Sequence, residues 1–280
     1  MSRPSVTDKR RSYHALHESG CFVIPNPWDV GSARYLQSLG FKALASTSSG
    51  FAWSQGFADN AVSRDMVLEH LAELVAETDI PINADYEGGY ADDPAGVAEN
   101  VRLAVGTGVA GLSIEDSTGK KDKPLFDIDF AVERMKAARA AIDKAGGDTV
   151  LTGRAEGFIA GVPDLEQMIA RLKAYSEAGA DVLYAPGIKT REQIEAVVKA
   201  VAPKPVNFLN GAAFGHTVAD IAGMGVRRIS VGGALARSAW GGFMRVAKEI
   251  AEQGTFTGFR DAAPGGDLNG FFGPDSQKRT

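Results

Sequence analysis

Two short apolar runs in this 280-residue chain end in carboxylates, and they lie one strand–helix unit apart. The first is Pro81-Ile82-Asn83-Ala84-Asp85-Tyr86-Glu87-Gly88-Gly89-Tyr90, and the second is Gly111-Leu112-Ser113-Ile114-Glu115-Asp116-Ser117. Acids gathered at neighbouring strand ends repel one another unless a positive charge lies between them, so the pattern suggests a shared cation. Asp85 and Glu87 are two apart, and on an extended backbone both project to one side. With no histidine or cysteine in either segment, the donor set is all oxygen, which suits magnesium, or manganese, rather than zinc. Magnesium keeps several waters, so one direct carboxylate with other acids bridging through water is sufficient. A plain helix cap or loop acid is the alternative for Asp85.

Other strand ends add complementary groups. Val150–Arg154 ends in an arginine followed by Glu156. Arg154 is suited to clamp a planar carboxylate or phosphonate, or else to pair structurally with Glu156. Ser48-Ser49-Gly50-Phe51 reads as a βα turn whose amides and hydroxyls could cradle an anion, with Asp59 in the same loop. Asn210 follows the seventh strand candidate, and Gly232-Gly233 follows the eighth, where either phosphate binding or close helix packing would explain it. Cys21, at the start of an apolar run, reads as buried filler. The four histidines form no constellation.

Positioning these groups requires a repeated unit of strand, turn, amphipathic helix and glycine. Strand candidates are Cys21–Pro25, Ala43–Thr47, Ile82–Asp85, Gly111–Glu115, Val150–Arg154, Val182–Ala185, Val206–Leu209 and Arg228–Val231. Helical spacing covers Arg64–Glu77, Ala95–Val105, Phe130–Lys144, Leu165–Ala178 and Arg191–Ala202, with Ser63 and Asp164 as N-caps. Eight such units predict an α/β fold, a (β/α)8 barrel at about 21–254, with an open doubly wound sheet as runner-up. We expect one domain over 1–280. It carries an extra N-terminal helix at 7–19 and a Gly-rich extension at 255–280 bearing Phe256, Phe259, Phe271 and Phe272. Aromatics on such an extension need a surface to cover, and a neighbouring subunit is a suitable one.

Composition is that of an ordinary globular chain, 44% hydrophobic and 23% charged. A net charge of -5 gives no electrostatic reason to expect nucleic acid or an anionic membrane as partner. One cysteine excludes an internal disulfide, and the polar, basic stretch from Met1 to Ser12 is neither signal peptide nor membrane span. The expected location is the cytoplasm.

Taken together, these segments resemble the isocitrate lyase/phosphoenolpyruvate mutase superfamily over about Phe22 to Ala239. Asp85-Tyr86-Glu87-Gly88-Gly89-Tyr90 is similar to that family's Asp-x-Asp/Glu-x-Gly-Tyr-Gly metal signature, with Ala91 in place of the final glycine. Ser113-Ile114-Glu115-Asp116 resembles its next strand end, and Gly153-Arg154-Ala155-Glu156 its substrate-binding arginine segment. Ser48-Ser49-Gly50-Phe51 resembles the turn whose amides hold a substrate carboxylate, and Gly56-Phe57-Ala58-Asp59 a Gly-x-x-Asp whose acid approaches the metal through water.

The resemblance implies magnesium-dependent chemistry at C3 of a pyruvate-like unit. It points to Asp85, Glu87 and Glu115 around the metal, Arg154, Lys121 and Asp59 in catalysis, and Ser49, Gly50, Phe51, Arg154 and Asn210 on the substrate. Family members that cleave isocitrate carry a Lys-Lys/Arg-Cys-Gly-His segment after the fourth strand. Here that stretch is Ser117-Thr118-Gly119-Lys120-Lys121-Asp122-Lys123-Pro124, with no cysteine or histidine. The expected activity is cleavage of a C–C bond in a small 2-oxo or 2-hydroxy di- or tricarboxylate. P–C bond chemistry of the phosphonopyruvate type, or binding of a carboxylate without catalysis, are the alternatives. Ser117 to Asp127 is expected to be a mobile lid, and the assembly a homotetramer.

Overall fold

Short runs of branched apolar residues stay extended when both faces are covered, and eight of them here pair in parallel. In this computed structural model, which describes residues 3–278, they are β1 (Phe22–Ile24), β2 (Leu44–Ala45), β3 (Ile82–Asp85), β4 (Gly111–Glu115), β5 (Val150–Arg154), β6 (Val182–Tyr184), β7 (Val206–Leu209) and β8 (Arg228–Ser230). Their ladder order is β1-β8-β7-β6-β5-β4-β3-β2. The Ala45 amide donates to the Pro25 carbonyl at 3.1 Å across the remaining seam, which nearly closes a (β/α)8 barrel.

The surrounding helices are α1 (Val6–Glu18), α2 (Val30–Ser38), α3 (Ser48–Ser54), α4 (Arg64–Glu77), α5 (Pro94–Gly106), α6 (Ile128–Lys144), α7 (Leu165–Glu177), α8 (Arg191–Val201) and α9 (Val218–Gly223). Ser63 and Asp164 cap α4 and α7 as expected, each accepting an amide from the first turn. Their apolar stripes close on the outside of the strands, where Leu71, Val101, Met135, Leu172 and Val197 are buried.

α1 seals the end of the barrel opposite the strand C-termini. Its cations bind helix ends, where unsatisfied carbonyls favour positive charge. Lys9 Nζ donates to the Val75 carbonyl at 2.8 Å, and Arg10 Nη2 to the Val105 carbonyl at 2.8 Å. Tyr13, fully buried, packs so close to β4 that a side chain at Gly111 would overlap its ring.

The barrel interior departs from the usual branched-aliphatic filling. Asn83, Ser113, Thr152, Asn207, Arg228 and Ser230 are all buried there. Asn207 Nδ2 donates to Ser230 Oγ at 2.9 Å, and Tyr13 donates its hydroxyl to Asn83 Oδ1 at 3.1 Å.

The chain divides into two compact units at Leu235 and Ala236. The second holds most of α10 (Ala234–Gln253), a short 3-10 turn at Thr257–Asp261 and α11 (Gly265–Gln277). α11 forms despite Gly266, Gly270, Gly273 and an internal Pro274, all residues that weaken a helix, so the sequence pointed to a plain tail. Glu249 gathers this unit, accepting from the Thr257 amide at 2.7 Å and the Gly258 amide at 2.9 Å. Phe243, Met244, Phe256 and Phe259 are exposed on it, while Phe271 and Phe272 are half-buried.

Candidate metal and anion site

β3, β4 and β5 end side by side, which puts Asp85, Glu115 and Arg154 at one edge of the barrel mouth. Arg154 is the hub. Its Nη1 lies 3.2 Å from Asp85 Oδ1, and its Nε lies 3.3 Å from Glu115 Oε2 and 2.5 Å from Glu156 Oε2. Nη2 completes a bidentate fork on Glu156 at 2.7 Å. The structural pair with Glu156 therefore exists, and the same guanidinium still borders a cavity of about 210 Å³. Asp85, Ser48, Ser49 and Asp59 border it too.

Glu156 is itself held in place. Asp116, buried, accepts the Glu156 amide at 2.8 Å, Arg171 Nη1 at 3.0 Å and the Tyr175 hydroxyl at 2.5 Å. These contacts anchor the backbone of Glu156, whose carboxylate in turn aims Arg154.

Asp85 points into the mouth because both its ends are tied. Its amide donates to Ser46 Oγ at 2.9 Å, and its Oδ2 accepts the Ser48 amide at 3.0 Å. Glu87 differs from the extended geometry expected of it. The strand stops at Asp85, and Glu87 turns left-handed at φ 47°. Its carbonyl accepts the Glu115 amide at 3.0 Å, and its Oε1 accepts the Tyr90 hydroxyl at 3.0 Å. The loop rests on Arg134 of α6, only 2% exposed, which donates to the carbonyls of Gly88, Ala91, Asp92 and Glu115. Phe126 stacks under that guanidinium at 4.2 Å. Arg134 was not singled out from the sequence, since a lone arginine within a helix looks like surface; Asp116 reads there as a strand-end acid, and the structure turns it away from the mouth to hold Glu156.

The electrostatics are those of too many acids in too little water. Burial pushes Glu87 up to about 7, with Asp85 and Asp59 adding repulsion. Burial raises Glu115 well above the ordinary carboxylate range, and Glu156, Asp85 and Glu87 act in the same sense. Partial burial and then the charge of Asp85 raise Asp59, against a hydrogen bond with Ser48. Among the described residues, no three of the Asp, Glu, His and Cys side chains converge tightly enough to grip an ion unaided. The all-oxygen donors and their excess negative charge nonetheless fit a hard dication held mostly through water.

Other expected residues are more scattered. Ser48-Ser49-Gly50-Phe51 is the first turn of α3 rather than a turn between elements. Thr47 caps it, accepting the Gly50 amide at 3.3 Å on its hydroxyl and the Phe51 amide at 3.0 Å on its carbonyl. The Phe51 ring is buried, stacked on His70 at 4.0 Å. A Cβ at Gly233 would come within 2.7 Å of Ser49 Oγ and 3.3 Å of the Trp53 ring, so close packing accounts for that glycine. Asn210 follows β7 with its Oδ1 buried and without a hydrogen-bond partner. Lys121 is exposed at the tip of the β4–α6 loop. That loop is tied at its root by the Ser117–Leu125 bridge and by the Thr118 amide on the Pro124 carbonyl at 3.0 Å.

A (β/α)8 barrel with polar and charged groups gathered at the C-terminal ends of its strands is the architecture of a large class of barrel enzymes. Comparison with known proteins narrows it. Residues 13–251 match the sequence model of the family described as Phosphoenolpyruvate phosphomutase. Oxaloacetate decarboxylase of Paraburkholderia xenovorans is 31% identical over 70% of this chain and 67% of its own. A solved structure from Burkholderia cenocepacia J2315, described provisionally as a lyase/mutase, is 48% identical with a TM-score of 0.93, covering 96% of this chain and 97% of its own. Phosphonopyruvate hydrolase in complex with oxalate and Mg++ superposes with a TM-score of 0.83 at 27% identity over 96% of each chain. The chain belongs to the phosphoenolpyruvate phosphomutase family, in the PEP mutase/isocitrate lyase superfamily, and is an enzyme of that type.

Proposed function

We propose that the protein is a magnesium-dependent lyase that cleaves a C–C bond of a small 2-oxo or 2-hydroxy di- or tricarboxylate, leaving a pyruvate-like enolate. The observation that carries this reading is Arg154 held among Asp85, Glu115 and Glu156 at the cavity mouth. One guanidinium among three carboxylates leaves a deficit of positive charge that a dication fits. Asp85 would be the direct contact, with Glu87, Glu115 and Asp59 holding the ion through water. Held there, magnesium, or manganese in its place, would supply a Lewis acid for the oxygens of a 2-oxo acid. The oxalate and Mg++ bound by phosphonopyruvate hydrolase support that pairing.

The chain's own groups do the rest. Arg154, oriented by its Glu156 fork, takes the substrate carboxylate and faces the negative charge that grows on the departing acid. Ser49 offers its hydroxyl from the opposite rim, on a helix turn that Gly50 and Phe51 complete. The Ser117–Asp127 loop closes over the mouth, excludes water and brings Lys121 as its proton-transferring group. Asn210, with an unused buried carboxamide oxygen, is the remaining polar contact proposed for the substrate.

A second reading is P–C cleavage of a phosphonopyruvate-type acid. The loop from Ser117 to Pro124, which lacks the cysteine and histidine of the isocitrate-type lyases, favours it. A screen of 2-oxo, 2-hydroxy and phosphono acids with magnesium separates the two. Pyruvate-type product without phosphate supports the lyase, and phosphate release supports the second reading. No turnover together with no magnesium-dependent oxalate binding would remove both.

The second unit is proposed to pack on a neighbouring copy, giving a tetramer. The exposed Phe243, Met244, Phe256 and Phe259 support this. Light scattering should then give roughly four times the 29.5 kDa chain mass, and truncation after Gly254 should lower it. A monodisperse monomer rules it out.

A further inference from the structure

The cavity that opens at Asp85 and Arg154 continues down the barrel to a second arginine, Arg228 of β8. Arg228 is 3% exposed, and every partner it has is neutral. Its Nε donates to Asn207 Oδ1 at 2.8 Å, its Nη1 to the Tyr13 hydroxyl at 2.8 Å, and its Nη2 to Thr152 Oγ1 at 3.0 Å. His17 Nε2 lies 3.5 Å from Nη1. Among the described residues no acid pairs with it. A buried cation without a counter-charge is costly, because neutral acceptors replace its hydration only in part.

Two geometric facts place this charge relative to the mouth. Register partners run Arg154–Tyr184–Asn207–Arg228, so both arginines belong to one row of the ladder. Arg228 also reaches across the interior to Thr152, two residues before Arg154 on β5 and on the same face. Its guanidinium therefore lies about one side-chain layer, ~6.6 Å, beneath that of Arg154. Nη2 carries two hydrogens and uses one on Thr152, which leaves a donor on a group that borders the cavity.

We propose that Arg228 is a specificity-determining residue. It receives the distal carboxylate of a short dicarboxylate whose 2-oxo or 2-hydroxy end sits at the mouth. This rests on the reading of the mouth given above and adds a second anion subsite beneath it. The bound dianion supplies the counter-charge that the fold withholds from Arg228. The neutral ring of Asn207, Thr152 and Tyr13 holds the guanidinium in place without cancelling it. A monoanionic 2-oxo acid leaves the lower charge unanswered, so selection favours dianions long enough to span one layer.

The test is calorimetric titration of the intact chain with magnesium, using two probes. Oxalate reaches only the mouth, whereas malate, a four-carbon 2-hydroxy dicarboxylate, spans both levels. Arg228→Met should weaken malate by about 30-fold while changing oxalate less than about threefold, and Arg228→Lys should recover part of the loss. Equal losses for both probes, or no loss for malate, would overturn the proposal. A crystal structure of the unaltered protein with magnesium and malate decides the matter even if the variants do not fold. A carboxylate within hydrogen-bond distance of Arg228 supports the subsite, and water alone there overturns it. Failure of oxalate to bind the unaltered protein removes the reading of the mouth as well. Oxalate binding with malate indifferent to Arg228 removes this inference alone.

Discussion

Arg154 and Arg228 lie on one hydrogen-bonded row of the same barrel, and their surroundings are opposite. The upper guanidinium has three carboxylates within 3.3 Å, while the lower has an amide oxygen, a phenol and a hydroxyl. The first environment has negative charge to spare and so has room for a cation. The second has positive charge to spare and so has room for an anion. A residue type alone did not decide what each site lacks; the sign of the surplus around it did. The cavity between them is thus polarised along the barrel axis, with a cation expected above and an anion reaching down.

The upper half of this contrast breaks most completely at Asp85. Asp85→Ala should abolish the rise in thermal midpoint on adding magnesium and reduce turnover by at least about 10³-fold. Magnesium binding as tight as in the parent would mean that the acid surplus at the mouth serves only Arg154. Arg154→Lys keeps the charge but loses the planar fork on Glu156, so oxalate affinity should fall by roughly 10- to 100-fold. Unchanged affinity would reduce that arginine to a structural partner of Glu156.

Closure of the mouth gives a smaller signal. Trypsin should cut first between Gly119 and Lys123, where the loop tip is exposed, and magnesium with oxalate should slow that cut several-fold. Equal rates in both states would dispose of the lid.

The smallest effect sharpens the lower half. Burial, and then the charge of Arg228, lowers His17 from its ordinary 6.5 to about 3. Below pH 6.5 the unfolded chain takes up a proton there and the native chain does not until about pH 3. Stability therefore falls as pH drops through that window. His17→Gln should make the fall in thermal midpoint shallower but not flat, because burial likewise lowers His70 to about 4. An unaltered slope would mean that neither burial nor the charge of Arg228 lowers His17 in the fold.

Much of this was legible in the chain itself. β3, β4, β5 and β7 keep the bounds expected of them; the first three end on the charged Asp85, Glu115 and Arg154, and β7 ends at Leu209 with polar Asn210 behind it. β2 shrank to Leu44–Ala45, and α3 was hidden, since Ser-Ser-Gly reads as a turn until Thr47 is seen to cap it. The lower half of the cavity was illegible for another reason. Arg227-Arg228 at the start of a strand looks like its solvent end, and only barrel closure turns the second arginine inward. The signal was present in Asn83, Thr152 and Asn207, polar residues inside otherwise apolar strands. They share a lumen, but no spacing in the sequence says so.

The seal at the barrel floor has a consequence for the order of folding. The Tyr13 hydroxyl accepts from Arg228, made 215 residues later. At roughly 5–20 residues per second, a ribosome needs about 10–40 s to add that stretch. Throughout that interval α1 has no finished floor to cover, although it precedes every strand. Until β8 is made, α1 can take its anchors on Val75, Val105 and Asn83, but the Tyr13 hydroxyl lacks the Arg228 donor that completes the floor. A nascent chain arrested before β8 should leave α1 open to protease, and one released after it should not.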